Sequence, residues 1–277
     1  MIRPMLLEMV NEPFEDDNKQ YAVELKMDGF RAIYSTYNSK VSIYTRHQND
    51  VTTMFDEKQI LSIPSDTILD GEIIALDNQG KPDFEAVMRR FRTRRYSKTI
   101  PVQYVVFDVI YYKGKQVTSL PYLERKALLD TIIPQDTNKI AKIKWMIGNG
   151  KSFFNLCKEN QLEGCVFKDI HSTYEIGKRS SSWLKCINYS YLDVIITGYK
   201  KGVFGLILSD INDKRFLGVM EFMPTKDRKQ FYQMVKDMKK EEKDQIAYIY
   251  PGVSCRVKYR NLTKNGLLRI PSFVEFL

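Results

Sequence analysis

Residues 103–112, QYVVFDVIYY, contain eight Val, Ile, Phe or Tyr side chains and neither glycine nor proline. β-Branched and aromatic side chains suit a pleated surface, so a run of this kind reads as a strand. A strand needs partners, and the chain supplies them. YAVELK, FRAIYST and VSIYTR, within residues 21–46, read as a meander with turns at Met27-Asp28-Gly29 and Asn38-Ser39. TILDGEIIAL (67–76), EGCVFK (163–168) and SWLKCI (182–187) read as further strands. Short helical patterns lie between them. DFEAVMRRF carries Phe84, Val87 and Met88 on one face, and PYLERKALLDTII opens on Pro121, whose fixed φ suits a first helical turn. The first two thirds of the chain is therefore α+β with much antiparallel sheet.

After about residue 188 the texture changes to short strands: DVIITGY, FGLILSD, FLGVMEF, SCRVKYR and SFVEFL. One amphipathic helix is expected around residues 226–243, with Phe231, Met234, Val235 and Met238 at core spacing. Five short strands and one helix fit a small, partly open barrel of the OB type. The expected boundaries are 1–187 for the first domain and 188–277 for the second.

Charge is unevenly placed between these parts. The chain carries 43 Lys and Arg against 34 Asp and Glu, and residues 188–277 hold 16 basic and 10 acidic residues. The smaller part is the more cationic, which favours a polyanionic partner such as nucleic acid, although simple solubility gives the same balance. The four cysteines, Cys157, Cys165, Cys186 and Cys255, show no CxxC or Cys/His spacing. Reduced thiols are expected rather than a zinc site. No apolar run reaches membrane-spanning length, and the N-terminal stretch meets acidic residues before a signal-like core can form, so a cytoplasmic location is expected.

The sharpest local signal is Glu24-Leu-Lys26-Met-Asp28-Gly29-Phe-Arg31, a lysine leaving a strand into a turn that contains an aspartate and a glycine. A lysine is nucleophilic only as the free amine, and a strand end holds it rigidly. Gly29 lets the backbone turn close to a ligand. A lone KxDG also decorates many surface hairpins, so it does not decide the matter by itself.

Five further boxes do. They are Thr45-Arg46, Leu69-Asp70-Gly71-Glu72-Ile73, Val106-Phe107-Asp108, Glu163-Gly164 through Lys168, and Trp183-Leu184-Lys185. With the KxDGxR box formed by Lys26, Asp28, Gly29 and Arg31, this ordered set resembles the covalent nucleotidyltransferases: DNA ligases, RNA ligases and mRNA capping enzymes. SSSWLKCIN, VIITGYKKGVFG and LLRIPSF extend the likeness to bacterial end-joining ligases of the LigD type and small prophage-borne ligases of Bacillus.

The resemblance implies an antiparallel-sheet nucleotidyltransferase (adenylation) domain followed by an OB-fold domain. It implies an ATP-dependent DNA ligase: Lys26 takes AMP from ATP and passes it to the 5′-phosphate of a nick in duplex DNA, and the 3′-hydroxyl displaces it. It places Glu24 on the adenine amino group, Phe107 under the base, and Arg31 and Glu72 on the ribose. Lys168 and Lys185 would neutralise the α-phosphate. Glu72 and Glu163 would hold Mg²⁺ or Mn²⁺, hard cations that take few carboxylates plus phosphate oxygens and water. Arg46 would grip the nick's 5′-phosphate. A monomer with no membrane partner is expected.

Other features read more plainly. Asp28 orders a turn as readily as it contacts a ligand. His47 and His171 lack metal-spaced partners, Trp145 suits core or rim packing, and RRFRTRR (89–95) reads as a solvated, mobile loop more readily than as a phosphate clamp.

Two departures from the family pattern stand out. Ile187 occupies the place of a second lysine in the WLK box, and the segment after Arg269-Ile-Pro-Ser-Phe ends in VEFL where LigD-type ligases carry an RxDK box. The expectation is a slow first step, with Lys264, Arg256 or Lys258 as loose substitutes. The alternatives are an RNA ligase or GTP-using capping enzyme, and an inert nick-binding protein. NAD⁺ dependence is disfavoured by the short stretch of about 20 residues before the KxDG box, as counted against the extra domain such enzymes carry.

Overall fold

The structure is a computed structural model that describes residues 1–54, 63–92 and 100–277. The chain divides into two compact units, Met1–Ile187 and Asn188–Leu277.

The first unit runs β1 (Leu6–Val10), β2 (Tyr21–Leu25), β3 (Phe30–Ser35), β4 (Ser42–Thr45), β5 (Ile68–Ile74), α1 (Phe84–Arg92), β6 (Gln103–Tyr112) and β7 (Lys115–Gln116). It continues through α2 (Tyr122–Ile132), β8 (Ile140–Lys142), β9 (Trp145–Ile147), α3 (Gly150–Glu159), β10 (Gly164–Asp169) and β11 (Arg179–Ile187). These strands make two sheets. One has the order β1-β11-β10-β2-β9, and the other β4-β3-β5-β6-β7 with β8 beside β6. Pairing is antiparallel except for β1 with β11 and β6 with β8.

This topology corrects the expected meander. β2 and β3 do not pair with each other; β2 lies between β10 and β9, whereas β3 lies between β4 and β5. Residues 26–29 are therefore a crossing from one sheet to the other, and Lys26 stands on that crossing. Gly29 is required for a different reason from the one expected. Its φ is ordinary, but a Cβ there would come within 2.3 Å of the Ile73 carbonyl oxygen and 2.8 Å of Ile74 Cγ2. The backbone enters the second sheet too close to β5 for any side chain.

Strand parity sets what each sheet presents. Across the first sheet, Glu24, Val166 and Lys185 align in one row, and Ala22, Lys168 and Trp183 in the next row on the same face. The opposite face carries Val23 and Phe167, which pack with Phe154 and Cys157 of α3. In the second sheet Arg31 pairs with Glu72 and Ile33 with Asp70, which puts these four on one face. Ile33 and Ile110 of that sheet share an apolar cluster with Trp183 of the other, and Ile74 and Val105 pack against Leu25 and Met27. The two polar-bearing faces thus meet. The larger core lies on the far side of the second sheet, around Ala32, Leu69, Val106 and Val109.

α1 begins at an Asp83 cap, whose Oδ1 accepts the Ala86 amide at 2.9 Å. The expected loop reading of RRFRTRR gives way here: Arg89, Arg90, Phe91 and Arg92 end this helix, and residues 93–95 lie outside the described residues. Arg90 is buried and donates to the Met54 carbonyl, while Phe91 stacks on Phe30 at 3.8 Å between centroids.

The second unit contains β12 (Ser190–Lys200), β13 (Leu206–Asp210), β14 (Phe216–Met220), α4 (Thr225–Met234), β15 (Lys239–Lys243), β16 (Ile246–Tyr259) and β17 (Ser272–Phe276). They form a six-stranded antiparallel sheet of order β14-β13-β12-β16-β15, with β17 also on β16. The helix expected through residue 243 stops at Met234, and residues 239–243 pair with β16 instead. Phe231 and Val235 are buried in the unit's core and Met238 packs against it, but Met234 is exposed.

Candidate active site

Lys26 sits just beyond the end of β2, and its amide donates to the Gly164 carbonyl at 2.9 Å. That bond ties the crossing segment to β10 and sets where the side chain leaves. Nζ lies 2.9 Å from Glu163 Oε2, and the Glu163 carboxylate is 3% exposed. Ile187, standing where the resemblance expects a lysine, faces Gly164 across the β10–β11 ladder and is buried.

Glu72 faces the same space. Burial pushes its carboxyl up to about 8; the charges of Lys26 and Arg31 oppose that rise, and those of Glu163 and Asp70 add to it. Two carboxylates crowded beside a lysine form a hard-oxygen donor pair that fits Mg²⁺. Among the described residues no group of three or more His, Cys, Asp or Glu gathers, so the remaining ligands of such a cation would be phosphate oxygens and water.

Arg31 has a carboxylate partner within the fold. It makes a two-pronged pair with Asp70, Nε to Oδ1 at 3.0 Å and Nη2 to Oδ2 at 2.6 Å, with Asp70 wholly buried. Tyr174 also donates its hydroxyl to Asp70 Oδ2, at 2.6 Å. Arg31 in turn lies 5.2 Å from the Phe107 ring centroid. Asp70 and Tyr174 were not foreseen as site residues. Asp70 lies inside the LDGEI box, but nothing around Tyr174 in the sequence announces a carboxylate partner.

Glu24 is 2% exposed and carries three donors. Tyr122 Oη is 2.7 Å from Oε1, Lys126 Nζ is 2.5 Å from Oε1, and Lys168 Nζ is 2.8 Å from Oε2. Burial would raise the Glu24 carboxyl, but the charges and hydrogen bonds of Lys126 and Lys168 outweigh it and bring it down to about 2. Lys126 itself is lowered to about 8, by burial above all, against the pull of Glu24.

Lys168 is thus placed on Glu24, two rows along the sheet from the Lys26 crossing, at a row separation of about 13 Å for four residues of strand. Its Nζ is 4.0 Å from the Trp183 ring centroid and 4.7 Å from that of Phe107. The partner of Lys168 in the structure is Glu24, whereas the α-phosphate role expected of it concerns a bound nucleotide. Lys185, on the Glu24 row, is one row nearer to the lysine.

Tyr122 and Lys126 come from α2, which holds none of the six boxes. α2 is pinned to β6 by Arg125, whose Nε and Nη2 lie 2.7 and 3.1 Å from the two oxygens of Asp108, both side chains 1% exposed. The signal was present in the sequence: Tyr122, Arg125, Lys126 and Leu129 recur at helical spacing, and all four are buried.

Arg46 follows β4 and is exposed. Its guanidinium is lowered from its ordinary value by partial burial and by the positive charges of Arg31 and Arg179, so these arginines share one neighbourhood. Trp145 lies at the rim, edge-on to Tyr122 at 6.1 Å. Arg256, a loose substitute candidate in the second unit, is paired with Asp193 at 2.7 and 3.0 Å.

Comparison with known proteins agrees with this geometry. The family described as ATP dependent DNA ligase domain matches residues 4–186. The SPbeta prophage-derived DNA ligase-like protein LigB of Bacillus subtilis is 46% identical over 272 residues, covering 98% of this chain and 97% of that protein. The multifunctional non-homologous end joining protein LigD of Mycolicibacterium smegmatis is 26% identical over 279 residues, covering 92% of this chain but only 36% of that protein. The solved structure of mycobacterial DNA ligase D complexed with ATP and MES superposes with a TM-score of 0.62 at 22% identity, over 100% of this chain and 95% of that one, which shows a shared fold. No helix among the described residues is long and apolar enough to cross a membrane. A nucleophile-bearing crossing between two sheets, the ordered boxes that surround it and a family match across the whole first unit make this chain a member of the ATP-dependent DNA ligase family.

Proposed function

We propose that this chain seals nicks in duplex DNA through a covalent AMP adduct on Lys26. The observation that supports the reading is the meeting of Lys26 and Glu163 at 2.9 Å beside Glu72, on the segment that joins the two sheets. In the first step the Lys26 amine forms a P–N bond to the α-phosphorus of ATP, and the P–O bond to pyrophosphate breaks. Glu163 Oε2 is the acceptor at hand for the proton that leaves Nζ. Glu24 and Phe107 would hold the base, and Lys185 the α-phosphate. A Mg²⁺ held by Glu72 and Glu163 would neutralise phosphate charge.

Transfer of AMP to the 5′-phosphate of the nick calls on Arg46, whose fork suits a phosphate. The second unit reads as an OB-type barrel: a run of antiparallel strands with one helix and an excess of basic residues suits a surface against the duplex backbone.

The test uses the full chain with ATP labelled at its α-phosphate and Mg²⁺. Label should stay on the denatured protein, leave it when nicked duplex is added, and be absent from Lys26→Ala. Retention of label by Lys26→Ala, or none on the wild type, overturns the reading.

A further inference from the structure

Residues 2–7 belong to none of the six boxes, yet they fasten to three places that share one neighbourhood. The Ile2 amide donates to Tyr44 Oη at 3.0 Å, and the Met5 amide donates to Tyr174 Oη at 3.0 Å. The Leu7 carbonyl accepts from Arg179 Nη1. Between these fastenings the Leu6 amide donates to the Lys178 carbonyl at 2.7 Å, and the Arg3 carbonyl accepts the Gly177 amide at 2.9 Å. Met5 is wholly buried in one apolar cluster with Ile33, Tyr44, Tyr174 and Trp183, a cluster drawn from both sheets. One side chain thus keys the segment into the fold, and backbone groups on either side of it hold the segment down.

Each fastening leads to an arginine. Tyr44 stands two residues before Arg46, and the turn that carries Arg46 is closed by Thr45, whose Oγ1 accepts the amides of His47 and Asn49 at 3.1 and 3.2 Å. Tyr174 passes the chain of hydrogen bonds on to Asp70 and so to Arg31, whose Nε and Nη2 are engaged and whose Nη1 is turned away from that carboxylate. Arg179 is bound directly. Strand register brings two of the three together independently: Ala32 pairs with Thr45, so Arg31 and Arg46 stand opposite each other one step beyond that pair. The charges of Arg31 and Arg179 both act on Arg46. Like charges at close quarters repel, so such a group keeps its arrangement only where the backbone beneath it is held.

We propose that residues 2–7 form a brace that positions Arg31, Arg46 and Arg179 as one phosphate grip, with Tyr44 and Tyr174 as the positioning residues that carry its hold to the arginines. The proposal rests on the nick-sealing reading above and names what gives the arginines their common aim. Lys26 and Glu163 are held separately, by the pairing of β2 with β10. The brace therefore serves engagement of the nick, and labelling of the lysine does not depend on it.

The test uses the full chain and three measurements: lysyl-AMP formation from labelled ATP, kcat and KM for sealing a nick with a 5′-phosphate, and, without ATP or Mg²⁺, the ratio of Kd values for nicked duplexes ending in 5′-hydroxyl and in 5′-phosphate. Ile2→Pro removes the donor to Tyr44, and Tyr44→Phe removes its acceptor. Each should leave lysine labelling within about twofold of the wild type, raise KM for the nick by about threefold to tenfold, and lower the preference for 5′-phosphate by a similar factor, the scale of one lost hydrogen bond. The two changes together should do little more than either, since they remove the same bond, and Tyr44→Phe should have far less effect once Arg46 is already alanine. Tyr174→Phe should reduce sealing by more than it reduces labelling.

An unchanged preference for the 5′-phosphate nick in both Ile2→Pro and Tyr44→Phe overturns the brace. Equal weakening against the two nicks also overturns it, because that marks a general loss of structure, as does a full effect of Tyr44→Phe in the absence of the Arg46 side chain. Should Tyr44→Phe fail to fold, Ile2→Pro, which changes one half-buried residue, decides alone. A wild type that takes up no AMP, or binds the two nicks equally, is a different result, and it counts against nick sealing itself.

Discussion

Lys26 Nζ and Glu163 Oε2 lie 2.9 Å apart, joined across 137 residues of sequence by the pairing of β2 with β10. The same carboxylate is one of the two that fit a divalent cation, so it is asked to serve the lysine and the phosphate charge together. Glu163→Gln keeps the shape and removes the charge. Lysyl-AMP formation should fall by about 100-fold, the usual scale for a lost electrostatic group at a phosphoryl or acyl centre. The Mg²⁺ dependence separates the roles. Glu163→Gln and Glu72→Gln should both shift the Mg²⁺ midpoint upward, whereas Lys26→Ala should be dead at every concentration. A Glu163→Gln protein with the wild-type rate and midpoint would remove Glu163 from the site.

Arg125 and Asp108 form a pair buried on both sides, with Arg125 Nη1 also donating to the carbonyls of Leu120 and Ser172 at 2.6 and 2.9 Å. Removing one partner strands a charge in the interior. Arg125→Leu should destabilise the first unit by about 3–5 kcal/mol, seen as a lowered denaturation midpoint. Adding Asp108→Leu should return part of that loss, because the stranded carboxylate goes too. A double variant less stable than Arg125→Leu alone would mean that Asp108 has another structural task.

The difference between what the sequence announced and what it hid follows physical range. The six boxes are local patterns of two to six residues, and reading them in order singles out Lys26, Glu72, Phe107, Glu163 and Lys185 as candidates without knowledge of the pairing. The strand-forming residues of YAVELK and FRAIYST announced β2 and β3, but such a pattern reports only that a segment is extended. It does not report which strand lies beside it. The close approach of Gly29 to the Ile73 carbonyl, which sends β3 into the second sheet, is a non-local fact. Residues 239–243, KKEEK, were misread for a related reason: they favour a helix intrinsically, and pairing with β16 overrides that weak preference. Lys126 belongs to none of the six boxes, and only the first sheet brings its partner Glu24 to it.

Glu24 gives a stability prediction with a definite sign. Its carboxyl titrates at about 2 in the fold against 4.5 in the reference state, so its contribution is present above pH 4.5 and is lost as pH falls towards 2. Between those values the unfolded chain binds the proton and the fold does not, so stability must decline on acidification. The difference is on the order of 3 kcal/mol. Glu24→Gln should be less stable at neutral pH, with Lys126 and Lys168 left without their counter-charge, and its stability should fall less steeply between pH 4.5 and 2.5. Urea denaturation at half-unit pH steps reads both. Parallel acid limbs for the two proteins would show that Glu24 is not the group being titrated.

Arg46 separates the stages of the reaction. It is exposed just past β4, in the positive field of Arg31 and Arg179, and takes no part in the Lys26–Glu163 arrangement. Three arginines drawn together repel one another, and a phosphate between them relieves that repulsion. Arg46→Ala should therefore leave labelling of Lys26 by ATP near the wild-type rate while sealing of a nicked duplex falls by about tenfold to a hundredfold. The loss should appear against nicks that carry a 5′-phosphate, and the salt dependence of duplex binding should flatten by about one unit of log–log slope. Arg179→Ala should act in the same direction, and the two losses should fall short of adding if both arginines grip one phosphate. Equal loss of lysine labelling and of sealing in Arg46→Ala would place this arginine at the nucleotide instead of the nick.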